Sequence, residues 1–160
     1  MNKQDFLLAK QFIFSDIERE LQLARTDPAK LDALGVNSGG GNFLAALGLL
    51  CYTEFAGKLK YNRKKTNGKD SAADNFNLFF DDLGTEYKTF RILGNDVYGI
   101  FRCGLAHEYY VKRNCTIAML WQGTRPGIGK DPCGTYWFIV EKYFQDFKKA
   151  FQALETQLYP

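Results

Sequence analysis

Two residue types suited to handling a phosphate stand five positions apart in Phe101-Arg102-Cys103-Gly104-Leu105-Ala106-His107-Glu108. Arg102 brings a planar fork of donors that matches phosphate oxygens. His107, the one histidine in the chain, has the side chain whose unperturbed pKa lets it give and take a proton near neutral pH. Together they are candidates for clamping an anion and moving a proton beside it. Their spacing sets a geometric problem. On an ideal helix, five residues separate the two side chains by about 140° around the axis and ~7.5 Å along it. Either the helix loosens at Gly104, or two copies of the chain meet so that both pairs line one cleft. A simpler use of the same residues is structural: Arg102 pairing with Glu54, and His107 pairing with Glu108 or capping the helix end.

The elements that must position this pair are mostly helical. Phe6, Ile13, Ile17, Leu21 and Ala24 repeat at helical spacing with charges between them, which predicts an amphipathic helix over residues 3–25. Asp27-Pro28 is a stop-and-restart signal. Asn42 is placed to cap a segment from Phe43 to about Leu59 that is apolar nearly all round, the pattern of a central bundle helix. Ser71-Ala72-Ala73-Asp74 resembles a capping box, followed by Phe76, Phe80 and Leu83 at helical spacing. Short helical patterns then cover 85–93 and the motif segment after Gly94-Asn95-Asp96. Beyond the motif the period changes. Thr116–Trp121 and Thr135–Ile139 are rich in β-formers and flank a Gly/Pro loop, which predicts a hairpin with a long tip. Phe144, Phe147, Phe151, Leu154 and Leu158 step by three and four through a last helix. The expectation is one mainly α domain over 1–160, a bundle of about five helices with a small β-hairpin before the last.

The segment from Phe101 to Tyr109 resembles the Arg-x(4–6)-His signature of the HEPN superfamily. Gly39-Gly40-Gly41-Asn42-Phe43-Leu44 opening an apolar helix, and Tyr52-Thr53-Glu54-Phe55 within it, resemble an uncharacterised bacterial branch of the same superfamily, so the likeness runs from residue 39 to 112. It implies a helical bundle that dimerises and either cleaves RNA without metal, as toxins and defence effectors do, or only binds nucleotides, RNA or protein. A protein antitoxin is the partner it implies for a toxin. In the cleaving reading the RNA's own 2′-hydroxyl attacks the neighbouring phosphate, His107 relays the proton, and Arg102 holds the phosphate as its negative charge grows. The chain departs from the pattern in two ways. Cys103 follows the arginine where active members often carry Asn, Asp or His, and residues 114–160 extend well past the motif.

Other features are candidates for binding. Gly39, Gly40, Gly41 and Asn42 precede a helix, where free backbone N–H groups favour phosphate, or they form a plain flexible turn that needs no ligand; no Lys-Ser/Thr follows to make a P-loop. Lys58, Lys60, Arg63, Lys64, Lys65 and Lys69 fall in twelve residues without an acid and suit a polyanion or plain solvent. Tyr109 offers a ring either for core or interface packing or for base stacking, Lys112 extends the positive surface past the motif, and Glu54 is a binding candidate through the Tyr52-Thr53-Glu54-Phe55 likeness. Cys103 and His107 are four apart on one helical face, but with Cys115 they still lack a fourth ligand, so no metal is expected. No cofactor is expected either. The four cysteines form no Cys-x-x-Cys pair, which favours reduced thiols. The longest apolar run, Phe43 to Tyr52, is about half a membrane span, and the first residues lack a signal-peptide core. A soluble cytoplasmic protein with no membrane partner is expected.

Overall fold

An apolar helix wrapped by amphipathic ones organises the chain. The computed structural model describes residues 1–108, 111 and 114–160. Helix α1 (Lys3–Arg25) starts where the Asn2 side chain accepts the Asp5 N–H at 2.8 Å, and it buries Phe6, Ile13, Ile17 and Leu21. Asp27 accepts from the Ala29 N–H and Pro28 opens the short α2 (Pro28–Ala33). The central helix α3 (Asn42–Tyr61) packs against α4 (Ala72–Asp82), against α1 and against the last helix, α7 (Val140–Leu158). Between α4 and α7 come α5 (Thr85–Ile92), a π-helical turn over Tyr98–Arg102, α6 (Cys103–Glu108) and three strands. The molecule is mainly helical, with seven α-helices among the described residues where about five were expected. Three of the seven are short: α2 and α6 with six residues each, and α5 with eight.

α3 and α4 touch through their backbones. A Cβ on Gly57 would lie 1.9 Å from the Asn75 carbonyl oxygen, so only glycine lets the two helices come this close. On α7, Phe144, Phe147, Phe151 and Leu154 are buried at the expected spacing, and Leu158 is half-buried. The Phe6 and Phe151 rings stack at 4.9 Å. Tyr143, fully buried, shares a 2.9 Å hydrogen bond with Thr53 of α3, which satisfies two hydroxyls that would otherwise be orphaned in an apolar core. The segment after residue 114 is therefore part of the core, not an appendage to it.

Three local expectations need correcting. The predicted hairpin of 116–121 with 135–139 does not form. Instead β1 (Cys115–Ala118) runs parallel to β3 (Tyr136–Ile139), and β2 (Ile128–Lys130) pairs antiparallel on the other side of β3. The true hairpin is β2–β3. Its turn is closed by Asp131, whose carboxylate accepts the Thr135 N–H at 2.8 Å, and by Gly134 at φ +88°. Gly129 in β2 leaves room for the Trp137 ring, 2.2 Å from where a Cβ would sit. Second, Asn42 does not cap α3. Gly41 occupies that position, and the Asn42 side chain donates to the Ile117 carbonyl at 2.8 Å, tying the helix to β1. Third, Ser71 stands at the start of α4, but its hydroxyl goes to the Asp74 carboxylate instead of accepting a backbone N–H.

Candidate functional site

The motif helix is anchored before the motif begins. Asn95 donates to the Phe90 carbonyl at 2.8 Å and accepts from the Tyr136 hydroxyl at 3.1 Å. Asp96 accepts the Gly99 N–H at 2.9 Å. Val97, Phe101 and Leu105 are buried and set the rotation of the helix. The helix does loosen, but not at Gly104. The Cys103 N–H reaches back five residues to the Tyr98 carbonyl, so the wide turn ends at Arg102 and the path from Arg102 to His107 stays α-helical. Single π turns inside helices occur often at functional sites.

Arg102 faces inward. Its Nε lies 2.9 Å from Glu54 Oε2 on α3, with the two side chains 20% and 24% exposed. The pair is close but misaligned: both atoms are buried, and neither makes a hydrogen bond of good geometry. The guanidinium carbon also lies 5.7 Å from the centre of the Tyr98 ring. Burial works against the charge of Arg102, yet Glu54, with smaller contributions from Cys51, Tyr98 and Cys103, holds its pKa above the ordinary arginine value. Burial pushes the neighbouring Cys51 thiol up, Arg102 pulling the other way. Arg102 and Glu54 line a cleft of about 260 Å³ with Cys51, Phe55, Lys58, Asp70 and Asn75.

His107 is exposed, and among the described residues it carries no hydrogen bond or ion pair. Within one chain the imidazole therefore stands in solvent while the guanidinium sits in the cleft, on sides of the helix about 140° apart. The pair is not brought together on a single chain.

Gly39, Gly40 and Gly41 all have positive φ, at +83°, +84° and +72°, in the turn before α3. Their setting is not that of an open anion nest. Glu20 Oε2 lies 2.6 Å from the place of a Gly41 Cβ, so the chain's own carboxylate already sits against this helix start. The loop borders a separate cavity of about 460 Å³ with Glu20, Leu23, Leu31, Asn42 and Met119. Asn42 and Glu54 are twelve residues apart on α3, about 18 Å along the axis, so the glycines do not join the Arg102 cleft. Tyr109 and Lys112 lie outside the described residues. Among the described residues no group of three or more His, Cys, Asp or Glu is placed to hold a metal ion, and no helix is long and apolar enough to cross a membrane.

Sequence reasoning named Lys58 only as one cation of the basic run, and it missed Asp70 and Asn75 as cleft residues. For Asp70 a signal was available, because the acid-free basic run ends there; for Asn75 none was. Compared with protein-family models, with curated proteins and with solved structures, the chain matches none.

Proposed function

We propose that this chain is a HEPN-like, metal-independent endoribonuclease that works as a homodimer in the cytoplasm, as a toxin or defence effector. The observation that carries the reading is that the π turn and the short helix after it present a guanidinium held beside a cleft and an exposed imidazole with no partner among the described residues. Since the two diverge on one chain, a second copy must bring its own helix alongside. A surface suited to that exists. Leu44 is 61% exposed, and Leu47, Cys51 and Phe55 on the same face of α3 are only half-buried, although the pattern of this helix predicts burial all round. This apolar stripe leads to the cleft and suits a second copy.

In this reading the substrate supplies the nucleophile. The 2′-oxygen attacks the adjacent phosphorus, its proton passes to a base, the P–O5′ bond breaks and the 5′-oxygen takes a proton from an acid. The products are a 2′,3′-cyclic phosphate and a 5′-hydroxyl. His107 serves one or both proton transfers, and Arg102 stabilises the extra negative charge of the phosphorane-like transition state. No redox or group-transfer partner enters the balance.

A second reading has its own observation in favour. Glu54 already neutralises Arg102, and Cys103 stands where active members of the resembled superfamily often carry Asn, Asp or His. A non-catalytic module that binds a nucleotide, RNA or a protein antitoxin fits those two facts. Incubation of single-stranded RNA with the protein in EDTA separates the readings. Cleavage with cyclic-phosphate ends, lost in both Arg102→Ala and His107→Ala with the fold retained, supports the enzyme; retention of intact RNA supports the binding module.

A further inference from the structure

The cleft continues into an unusual loop. Six cations, Lys58, Lys60, Arg63, Lys64, Lys65 and Lys69, occupy a stretch without an acid. Lys60 is paired with Asp82 at 3.0 Å. Lys58 and Lys64 share the single carboxylate of Asp70. Arg63, Lys65 and Lys69 are exposed and have no ion-pair partner among the described residues. The loop thus keeps a strong local excess of positive charge.

Like charges repel, so such a segment is expected to spread and move. Here it is pinned. Asn75, 1% exposed, accepts the Arg63 N–H at 2.7 Å and donates to the Arg63 carbonyl at 3.2 Å, as a neighbouring β-strand would. The Ser71 N–H adds a 2.9 Å bond to the same carbonyl. Lys64 and Asp70 form a β-bridge, the Lys65 and Gly68 N–H groups close the turn onto the Lys69 and Lys65 carbonyls, and the Asn67 side chain accepts the Lys69 N–H. The base of this hairpin is shared with the site, because Lys58, Asp70 and Asn75 line the Arg102 cleft.

We propose that the hairpin of residues 62–71 is the phosphate-backbone track of the RNA site, a preformed set of cations that leads single-stranded RNA into the cleft holding Arg102. This rests on the RNA reading above and names the part of the chain that would supply most of its affinity. Fixing the backbone that carries the cations before binding removes part of the ordering cost that a mobile loop would incur. Contacts of this type hold and orient a strand without reading its sequence. Residues 62–70, Asn-Arg-Lys-Lys-Thr-Asn-Gly-Lys-Asp, present no apolar side chain, so the surface lacks the aromatic or aliphatic anchors of a protein interface and suits a polyanion.

The test is fluorescence anisotropy with the full chain and a labelled 2′-O-methyl oligoribonucleotide, which lacks the nucleophile and stays whole. Binding is followed from low to moderate salt. Each phosphate contact on a single strand contributes about 0.7 to the slope of log K against log salt, so Lys65→Ala/Lys69→Ala is expected to lower the slope by about 1.4 and to weaken binding at every salt concentration. Asn75→Ala, which frees the hairpin without changing its charge, is expected to weaken binding with the slope retained. Wild-type affinity and slope in the lysine double variant, alongside weakened binding in Arg102→Ala, overturn this proposal and leave the RNA reading standing. A wild-type chain that ignores the oligoribonucleotide at low salt, or binds only phosphatidylserine vesicles, overturns both.

Discussion

Arg102 Nε and Glu54 Oε2 sit 2.9 Å apart, tying the motif helix to the central helix across the edge of a cleft. Removing the carboxylate leaves a guanidinium in a site that is one-fifth exposed. Breaking a fully buried pair costs about 3–5 kcal/mol and an exposed one about 0–1. Glu54→Ala is therefore expected to lose about 1–2 kcal/mol in urea denaturation, between those limits. Glu54→Gln is expected to tighten RNA binding several-fold, because it removes a negative charge from the path of a phosphate. Unchanged or weaker binding in Glu54→Gln would show that Arg102 is a structural residue alone.

Gly57 and Asn75 make the second close meeting of the fold. A methyl on Gly57 would collide with the Asn75 carbonyl, a backbone atom that cannot swing away. Gly57→Ala is expected to cost about 3 kcal/mol, the upper part of the range for overpacked cores. Because Asn75 also pins the basic hairpin, the same variant is expected to increase hydrogen exchange at Arg63 and Ser71. Wild-type melting of Gly57→Ala would mean that α3 and α4 separate more easily than their packing implies.

Glu20 against Gly41 gives a prediction about what the glycine loop does not do. With a carboxylate already facing the start of α3, millimolar pyrophosphate is expected to leave the melting temperature of the wild type unchanged. Gly41→Ala forces an L-residue to φ +72° as well as displacing Glu20, and is expected to cost about 1–2 kcal/mol. Stabilisation of the wild type by pyrophosphate, lost in Gly41→Ala, would restore the loop as an anion site.

Asp70 carries the pH dependence of the basic hairpin. Hydrogen bonds from Lys58 and then Lys64 hold its carboxyl well below the ordinary aspartate range, at about 2. A depressed folded-state pKa means that the stabilisation is fully present above the ordinary value and is lost as the pH falls through the depressed one. Side-chain NMR titration is expected to give a midpoint near 2 for Asp70, moving up towards the ordinary range in Lys58→Ala/Lys64→Ala. An ordinary midpoint in the wild type would mean that the two lysines do not share this carboxylate in solution.

Residue patterns disclosed some parts of this molecule and hid others for physical reasons. Phe144, Phe147 and Phe151 announce α7 because a one-sided aromatic stripe at helical spacing has few other uses. Strand β2 is three residues with a glycine in the middle; what makes it a strand is pairing with Phe138 and Trp137, which is not a local property. The π turn over Tyr98–Arg102 leaves no mark in residue types. Arg102 and Glu54 were nameable as partners by charge, but they are far apart in the chain, and nothing local decides between a structural pair and a free clamp. Asn75 was invisible, since a buried asparagine that imitates a strand looks in sequence like any polar helix residue.

The composite cleft is tested most directly by mixing two inactive proteins. Arg102→Ala and His107→Ala chains are each assayed on single-stranded RNA in EDTA, then unfolded together and refolded as mixed dimers. If the guanidinium of one copy works with the imidazole of the other, neither variant cuts RNA alone and the mixture regains cleavage. A mixture that forms dimers and stays inactive while the wild type cuts would contradict the shared site, and a wild type that leaves RNA whole would contradict the enzyme.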